Sequence, residues 1–444
     1  MKIKQFEDIG LAQYGYAISN EAERTMVLID PARDMAPYLA YAAEEQATIV
    51  GVIETHPHAD FVSSHLALHQ QTGATIYCSR LVGAAYPHQS FDDGDEIVLG
   101  NIRLKAVNTP GHSPDSISIV LEEEGRNKAV FTGDTLFVGD CGRPDLRENV
   151  GNITAKRTEL AKQMYDSLHN KLMLLEDDVL VYPAHGAGTL CGKSLGKEKY
   201  STIGIEKVNN WSLQEMSVDV FVSALTEGQP FIPAYFPYDV DLNKRGAEDQ
   251  VHTIARVPRG AQGTPDENVV VIDTRAEAAF KEHHLPGALN LQNGGKFETW
   301  LGSIITPGEP FYLVAANREI LEELIVRTAK IGYEAFIAKA FVFEDGKESM
   351  VPINVEDFAT NLSGYTIVDV RNGSEVKEHR FFDQALAIPL PELRQRVAEI
   401  PLDKPIVVHC AGGYRSAAGS SIIQAAVGNS VKVFDLGENI KRFQ

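Results

Sequence analysis

Short apolar runs alternate with helical patterns through the first half of the chain. Six of these runs have the length and composition of buried β-strands: residues 25–30, 47–55, 102–107, 117–122, 128–133 and 178–183. The regular alternation predicts an α/β fold in which strands and helices follow one another along the chain.

The pattern changes near residue 240, where a Pro- and aromatic-rich segment (231–250) precedes a new series of alternating runs. Within that series, residues 267–280 and 364–376 each contain a strand ending in Asp-x-Arg, followed by a second strand and a helix. This repeat predicts two related α/β domains in tandem. The expected domains are residues 1–245, 246–350 and 351–444.

Composition narrows the class of protein. Among 444 residues, 41 Lys and Arg face 61 Asp and Glu, giving a net charge of -20 without a basic run, so no nucleic-acid partner is expected. The N-terminus lacks a continuous apolar segment and no run reaches the roughly 18 apolar residues of a membrane span. We therefore expect a cytoplasmic, soluble protein without a membrane partner. The four cysteines form no CxxC pair, so a special cysteine would be a reactive thiol.

Residue types that bind metals occur at the ends of the predicted strands. The candidates are His56, His58, Asp60, His112, Asp134 and His185. All but Asp60 come just past a strand, and in extended chain the two histidines of the HxHxD motif point to the same side. A single such histidine is usually structural, but six convergent candidates predict one metal site. His65 and His69, four residues apart on a predicted helix, have no carboxylate partner and are expected on an exposed helix face.

The THxHxD motif, a later GH, a GD and a final AHG together resemble the metallo-β-lactamase superfamily, which implies an αββα sandwich for the first domain. In dinuclear members such as glyoxalase II, a second-site histidine follows the aspartate. Here that position is Phe61. Removal of an imidazole from a site with few protein ligands weakens a second metal, so we expect one metal.

The stretch GDCGRPDL (139–146) is similar to that of persulfide dioxygenases, which use a single iron. The resemblance implies one Fe(II) per chain, bound by His56, His112 and Asp134, with His58, Asp60 and His185 supporting these ligands. Two imidazoles and a carboxylate on one face of the metal leave positions open for a thiolate and for dioxygen.

Arg143, in the same stretch, is a candidate anchor for a substrate carboxylate, because a guanidinium grips a carboxylate with two parallel hydrogen bonds. An ordinary ion pair with Asp145 or another acid is the equal alternative.

The segment IVVHCAGGYRSAAG (406–419) predicts a strand, a loop and a helix. We call residues 410–415 the thiol loop. Its backbone N–H groups can surround the sulfur of Cys410, while Arg415 and the helix N-terminus add positive potential that favours thiolate. The loop resembles that of rhodanese sulfurtransferases, which implies a catalytic Cys410 and Arg415 and a substrate cradle at Gly412 and Gly413.

The middle domain resembles the same family at VIDTR (271–275) and HLPGA (284–288), yet Ala315 takes the place of the cysteine. Without a thiol it cannot carry a persulfide, so we interpret it as a degenerate copy and the C-terminal domain as the active rhodanese.

Cys191 lies six residues after His185 in a Gly-rich turn. It either receives or relays sulfane sulfur, as a third catalytic residue, or packs as a turn residue, and both possibilities stay open. Cys141 and Cys78 are expected to be structural.

Together the two resemblances imply an enzyme that oxidises a low-molecular-weight thiol persulfide with dioxygen to sulfite and thiol. Its rhodanese domain would then transfer sulfane sulfur to sulfite, giving thiosulfate. The alternatives are a dinuclear zinc hydrolase of the glyoxalase II or thioesterase class, and a sulfur carrier with a degenerate metal domain. Which thiol carries the persulfide is left open, and self-association is expected by family analogy alone.

Overall fold

The computed structural model describes residues 1–146 and 156–444. The chain divides into two compact units, one formed by Met1–His252 with Lys330–Gly332 and the other by Thr253–Ala329 with Tyr333–Gln444. Among the described residues, no helix combines the length and apolar character required to cross a bilayer. The further division into domains at residues 245 and 350 stays a prediction.

Within its described residues, the first unit contains two six-stranded sheets whose strands lie side by side in chain order. The first sheet contains β1 (Lys2–Asp8), β2 (Gln13–Asn20), β3 (Thr25–Ile29), β4 (Thr48–Ile53), β5 (Thr75–Cys78) and β6 (Gln89–Ser90). The second contains β7 (Glu96–Leu99), β8 (Ile102–Asn108), β9 (Ile117–Glu123), β10 (Arg126–Gly133), β11 (Leu180–Pro183) and β12 (Ser201–Thr202). The six predicted strands are β3, β4 and β8 to β11.

Helices cover both outer faces of the two sheets. The described helices up to residue 255 are α1 (Ala36–Glu44), α2 (His65–Thr72), α3 (Arg157–His169), α4 (Ile203–Asn209), α5 (Val218–Thr226), α6 (Phe236–Arg245) and α7 (Gln250–Ala255). One apolar core fills the space between the sheets, with Tyr16 and Ile29 from the first against Ile119 and Phe131 from the second. Separate cores join α1 and α2 to the first sheet and α3 and α5 to the second. The predicted αββα sandwich is confirmed.

The second unit contains two four-stranded sheets, within its described residues, whose neighbouring strands are all parallel. The strands are β13 (Val270–Asp273), β14 (Leu289–Asn290), β15 (Phe311–Ala315), β16 (Ile337–Val342), β17 (Thr366–Asp369), β18 (Leu386–Ala387), β19 (Ile406–His409) and β20 (Val433–Asp435). Their spatial orders, β14-β13-β15-β16 and β18-β17-β19-β20, are the same.

The helices of this unit are α8 (Glu277–Glu282), α9 (Phe297–Ile304), α10 (Arg318–Ala329), α11 (Val355–Thr360), α12 (Gly373–Glu378), α13 (Leu390–Arg396) and α14 (Tyr414–Val427). We call the part built on β13–β16 the middle copy and the part built on β17–β20 the C-terminal copy. The common strand order agrees with the tandem α/β repeat that the sequence predicts.

Candidate functional site

His56, His112 and Asp134 meet at the carboxyl ends of β4, β8 and β10, and all three side chains are buried. The Nε2 atoms of His56 and His112 lie 3.8 and 3.4 Å from Oδ2 of Asp134. Potential ligand atoms of the three residues lie within 4.8 Å of one another. The folded chain therefore brings the three expected ligands to one point.

The donor set fits a metal ion. Oδ2 of Asp134 is buried and has no hydrogen-bond partner among the described residues, which is costly for a carboxylate unless a cation satisfies it. Burial alone would raise the pKa of Asp134, but the imidazoles of His185 and His112 hold it far below its usual range. An ionised carboxylate facing two imidazoles is a ligand set suited to a divalent transition metal.

His185 bridges two carboxylates behind this cluster. Its Nδ1 lies 2.7 Å from Oδ1 of Asp134 and its Nε2 lies 2.8 Å from Oδ2 of Asp60. Burial opposes a charge on the imidazole, but the carboxylates of Asp134 and Asp60 outweigh it and raise the pKa of His185 well above its usual value. The His185 ring therefore holds Oδ1 of Asp134, while Oδ2 faces His56 and His112.

Phe61 occupies the position that a second-site histidine holds in dinuclear relatives. Its ring is 1% exposed and stacks on the imidazole of His58, with centroids 4.2 Å apart. His58 pairs with Asp30 at 3.1 Å and lies 3.7 Å from Glu54, so it belongs to a neighbouring buried cluster. Burial raises the pKa of Glu54 to about 8, which keeps most of this carboxyl protonated at neutral pH. The Phe61 ring and the His58–Asp30 pair are thus packed against each other, and Phe61 offers no ligand atom at this position.

The expectation that His65 and His69 lie on an exposed face of α2 is wrong for His65. This imidazole is 0% exposed, lies 3.7 Å from Glu54 and contacts the ring of Tyr86. Burial lowers its pKa to about 3, so it packs as a neutral ring. His69 is half-buried and hydrogen-bonds through Nδ1 to the Ala74 carbonyl. A helical i,i+4 spacing does not reveal which face the sheet covers.

Cys191 lies beside the predicted metal site and not on the surface. It is 1% exposed, and its sulfur lies within 4.8 Å of potential ligand atoms of Asp60 and His185. Burial, reinforced by the carboxylates of Asp60 and Asp134, raises the pKa of its thiol well above the usual value. The thiol is therefore protonated at neutral pH in this state, and a sulfur-relay role stays a prediction.

The guanidinium of Arg143 is 1% exposed and is held by Asp145. Its Nε donates to one carboxylate oxygen at 2.6 Å and a terminal nitrogen donates to the other at 2.8 Å. The backbone N–H of Arg143 also donates to the Cys191 carbonyl at 2.9 Å. The ion pair that formed the alternative is therefore present, and a role in anchoring substrate stays a prediction.

The thiol loop connects β19 to α14. Cys410 is 2% exposed, and its sulfur accepts a hydrogen bond from the Gly413 N–H at 3.1 Å. Gly413 has φ 104°, in the region where a side chain would strain the backbone, which explains a glycine at this position. Gly412 is exposed at the loop surface. The loop thus presents a thiol and a backbone donor at the N-terminus of a helix, a setting typical of a nucleophile.

Arg415 has a partner that sequence reasoning missed. Its two terminal nitrogens donate to the two carboxylate oxygens of Glu375 at 2.6 and 2.7 Å. The same carboxylate accepts the Asn372 N–H at 3.0 Å, so it also caps α12. The Asn-x-x-Glu spacing is a capping-box signal in the sequence, but it does not indicate that an arginine forty residues later will bind the same glutamate.

Two family models match the chain. One, described as "Metallo-beta-lactamase superfamily", matches residues 15–185 and the other, described as "Rhodanese-like domain", matches residues 354–439. "Persulfide dioxygenase ETHE1, mitochondrial" of Homo sapiens is 33% identical over 184 residues, which are 41% of this chain and 66% of that protein. The Bos taurus protein of the same description is 31% identical over 188 residues, covering 42% and 68%. The chain belongs to the persulfide dioxygenase family of the metallo-β-lactamase superfamily.

The fusion of this persulfide dioxygenase family domain to a rhodanese-like domain is thereby confirmed. The chain spans about two thirds of the length of these curated relatives. A solved structure, described as a metallo-beta-lactamase from Staphylococcus aureus subsp. aureus COL, is 31% identical with a TM-score of 0.69. The similarity covers 77% of this chain and 99% of that one, so it reaches beyond the first unit.

Proposed function

We propose that the chain oxidises a low-molecular-weight thiol persulfide with dioxygen at a single Fe(II), and that Cys410 then transfers sulfane sulfur to the sulfite produced. Membership of the persulfide dioxygenase family supports the first activity, and the rhodanese-like domain with an intact thiol loop supports the second. His56, His112 and Asp134 would hold the iron.

The observation that carries a single metal is the packing of Phe61. A phenyl ring stacked on His58 supplies no ligand, and the His185 imidazole already lies 2.7 Å from Oδ1 of Asp134 and 2.8 Å from Oδ2 of Asp60. A second divalent ion bound by these two oxygens would have to displace that imidazole. This arrangement favours a mononuclear oxygenase over a dinuclear hydrolase.

Fe(II) held by His56, His112 and Asp134 would supply open coordination positions and the redox chemistry that joins a persulfide sulfur to dioxygen. Hydrogen bonds to their Nδ1 atoms hold the two histidine ligands in place. Nδ1 of His56 is 3.0 Å from the Thr55 hydroxyl, and Nδ1 of His112 is 2.9 Å from the Arg143 carbonyl. With both Nδ1 atoms hydrogen-bonded, each Nε2 is directed to the metal position.

The two proposed reactions balance with water as the only other reactant. One persulfide, one dioxygen and one water give one thiol, one sulfite dianion and two protons. In the second unit, the Cys410 thiol attacks the outer sulfur of another persulfide, and the S–S bond breaks to release thiol. Sulfite then attacks the outer sulfur on Cys410, giving thiosulfate and regenerating the cysteine. Because the activities share one chain, sulfite is released at a raised local concentration for the second site.

The first test combines metal analysis with oxygen uptake on persulfides of glutathione, coenzyme A, bacillithiol and cysteine. We expect one iron per chain and oxygen consumption with at least one of these persulfides. Two zinc ions per chain, with thioester hydrolysis and no oxygen uptake, would replace the proposal with the dinuclear hydrolase.

The second test is Cys410→Ser in the full chain. We expect oxygen uptake within about twofold of wild type, because Cys410 does not belong to the metal cluster, while the product changes from thiosulfate to sulfite. Cys78→Ser is a matched control, because Cys78 is also buried but lies in β5. Loss of oxygen uptake in Cys410→Ser alone would contradict the proposed division of labour.

A further inference from the structure

The middle copy has no thiol of its own, yet it contacts the helix that carries the thiol loop at two points. The Tyr414 hydroxyl donates to the Gln292 carbonyl at 2.8 Å, and the Asn290 N–H donates to the Ser421 hydroxyl at 2.8 Å. Tyr414 and Ser421 are seven residues apart on α14, which places them two turns apart on one helix face. Residues 290–294 of the middle copy therefore lie along the first two turns of α14.

Hydrogen bonds within the middle copy hold residues 290–294 in place. Arg327 on α10 donates to the Gly294 carbonyl at 2.8 Å and also binds the side chain of Asn293. The same guanidinium is fixed by Glu298 through hydrogen bonds of 2.8 and 2.6 Å, and the Glu298 side chain is fully buried. A Cβ on Gly294 would lie 2.7 Å from the Tyr414 ring, so the contact requires a glycine. The segment is thus a shaped surface against Tyr414.

A third contact reaches the chain beneath the loop. Lys281 on α8 pairs at 2.8 Å with Asp435, whose side chain is fully buried and accepts the Gly437 N–H at 2.8 Å. The Gly437 backbone packs against Gly413, since a Cβ on Gly413 would lie 3.3 Å from the carbonyl carbon of Gly437. Gly413 is the residue whose N–H binds the Cys410 sulfur. The middle copy therefore constrains the thiol loop from the Tyr414 side and from below.

We propose that the middle copy is a positioning domain for the C-terminal nucleophile, and that Tyr414 is the positioning residue through which residues 290–294 fix the thiol loop. Burial holds the pKa of Tyr414 far above its usual value, so its hydroxyl stays protonated and donates at every physiological pH. The placement of Tyr414 next to Arg415 means that its hydrogen bond fixes the start of α14 and, with it, the direction of the Gly413 N–H. Its importance for turnover rests on the proposed sulfur transfer, but its effect on Cys410 does not.

The test measures alkylation of Cys410 by iodoacetamide in the full chain as a function of pH, with the Cys410 peptide quantified by mass spectrometry. The variant is Tyr414→Phe, which keeps the ring and removes the hydroxyl. Tyr365→Phe is the matched control, because the Tyr365 hydroxyl bonds Asp357 within the C-terminal copy, at 2.5 Å on an exposed surface.

For Tyr414→Phe we expect alkylation at neutral pH to slow about three- to tenfold, the range that one net hydrogen bond spans, and the pH profile to move to higher pH. The profile moves because a less ordered loop directs the Gly413 N–H less well to the Cys410 sulfur. A general loss of stability would not move the profile. Ser421→Ala, which removes the second contact, should move the profile in the same direction. Profiles of both variants that coincide with that of Tyr365→Phe would overturn the proposal. If wild type formed no persulfide on Cys410, the proposed sulfur transfer would be contradicted. The alkylation profiles would still test whether Tyr414 positions the thiol loop.

Discussion

The middle and C-terminal copies of the second unit share one structural device. In each, a buried aspartate at the end of the first strand binds the arginine two residues later: Asp273 with Arg275, and Asp369 with Arg371. The backbone N–H of each arginine donates to the same aspartate at 3.1 Å. Each guanidinium also stacks on a phenyl ring, at 3.4 Å in the middle copy and 3.8 Å in the C-terminal copy. We call this arrangement the Asp-Arg staple.

The two copies differ where the chemistry is expected. Pairing of β13 with β15 sets Asp273 beside Val314, and pairing of β17 with β19 sets Asp369 beside His409. Ala315 therefore corresponds to Cys410. The same register sets Ile320 at the position of Arg415 and Ala279 at that of Glu375. The middle copy thus lacks the thiol, the guanidinium and the carboxylate that holds it, while its staple is intact.

The staple therefore belongs to the fold that both copies share, whereas the thiol, the guanidinium and its carboxylate are particular to the C-terminal copy. A buried ion pair is costly to break from one side, so it persists wherever the fold persists. The thiol, guanidinium and carboxylate form a separate set that is present in one copy and absent from the other.

The largest expected effect breaks the staple. Asp369→Asn and Asp273→Asn each leave a buried guanidinium without its counter-charge, so each should lower the free energy of unfolding by about 3–5 kcal/mol. The chain has two tryptophans, Trp211 and Trp300. With Trp211 replaced by Phe, the fluorescence of Trp300 in α9 reports urea unfolding of the second unit. If only the C-terminal variant were destabilised, the staple would have a role beyond the fold.

A smaller effect concerns His409, for which the middle copy has Val314. Burial lowers the pKa of His409 to about 4, despite the nearby Asp369 carboxylate. Between that pKa and the unfolded value near 6.5, the unfolded chain binds more protons than the folded one, so stability falls as the pH falls. The loss is complete below about pH 4 and amounts to about 3 kcal/mol at most.

His409→Val, which copies the middle domain, should remove this acid sensitivity. The measurement is the urea midpoint of the Trp300 signal at several pH values between 4 and 7. A wild-type slope that persists in His409→Val would assign the acid sensitivity to other groups.

For the last substitution, in the middle copy, we expect no gain of sulfur-transfer chemistry. Ala315→Cys, placed in a Cys410→Ser background, restores a thiol at the corresponding position of the middle copy. Because Ala315 is 0% exposed, is followed by no glycine pair and has Ile320 at the position of Arg415, we expect no persulfide on the new cysteine by mass spectrometry. A persulfide there would show that the strand end alone suffices and that the loop comparison is misleading.

Local patterns predicted much of this molecule. The apolar runs located β3, β4 and β8 to β11. The positions just past the runs located five candidate ligands, because a strand end directs its following side chains to a common edge, and the family resemblance selected His56, His112 and Asp134 from among them. Partners distant in the chain were harder to predict. The burial of His65 and the glutamate that binds Arg415 both depend on which surfaces meet in space.

Residue types and their spacing were enough to name the candidate groups: a set of two imidazoles and a carboxylate, and one thiol before a glycine pair and an arginine. How these groups are held depends on the tertiary structure. It stacks Phe61 on His58, sets His185 between two carboxylates, pairs Arg143 with Asp145, and lays a thiol-free copy against Tyr414. The physical reason is that strand periodicity is encoded locally, whereas the partner of a buried polar group is fixed by packing between segments far apart in the chain.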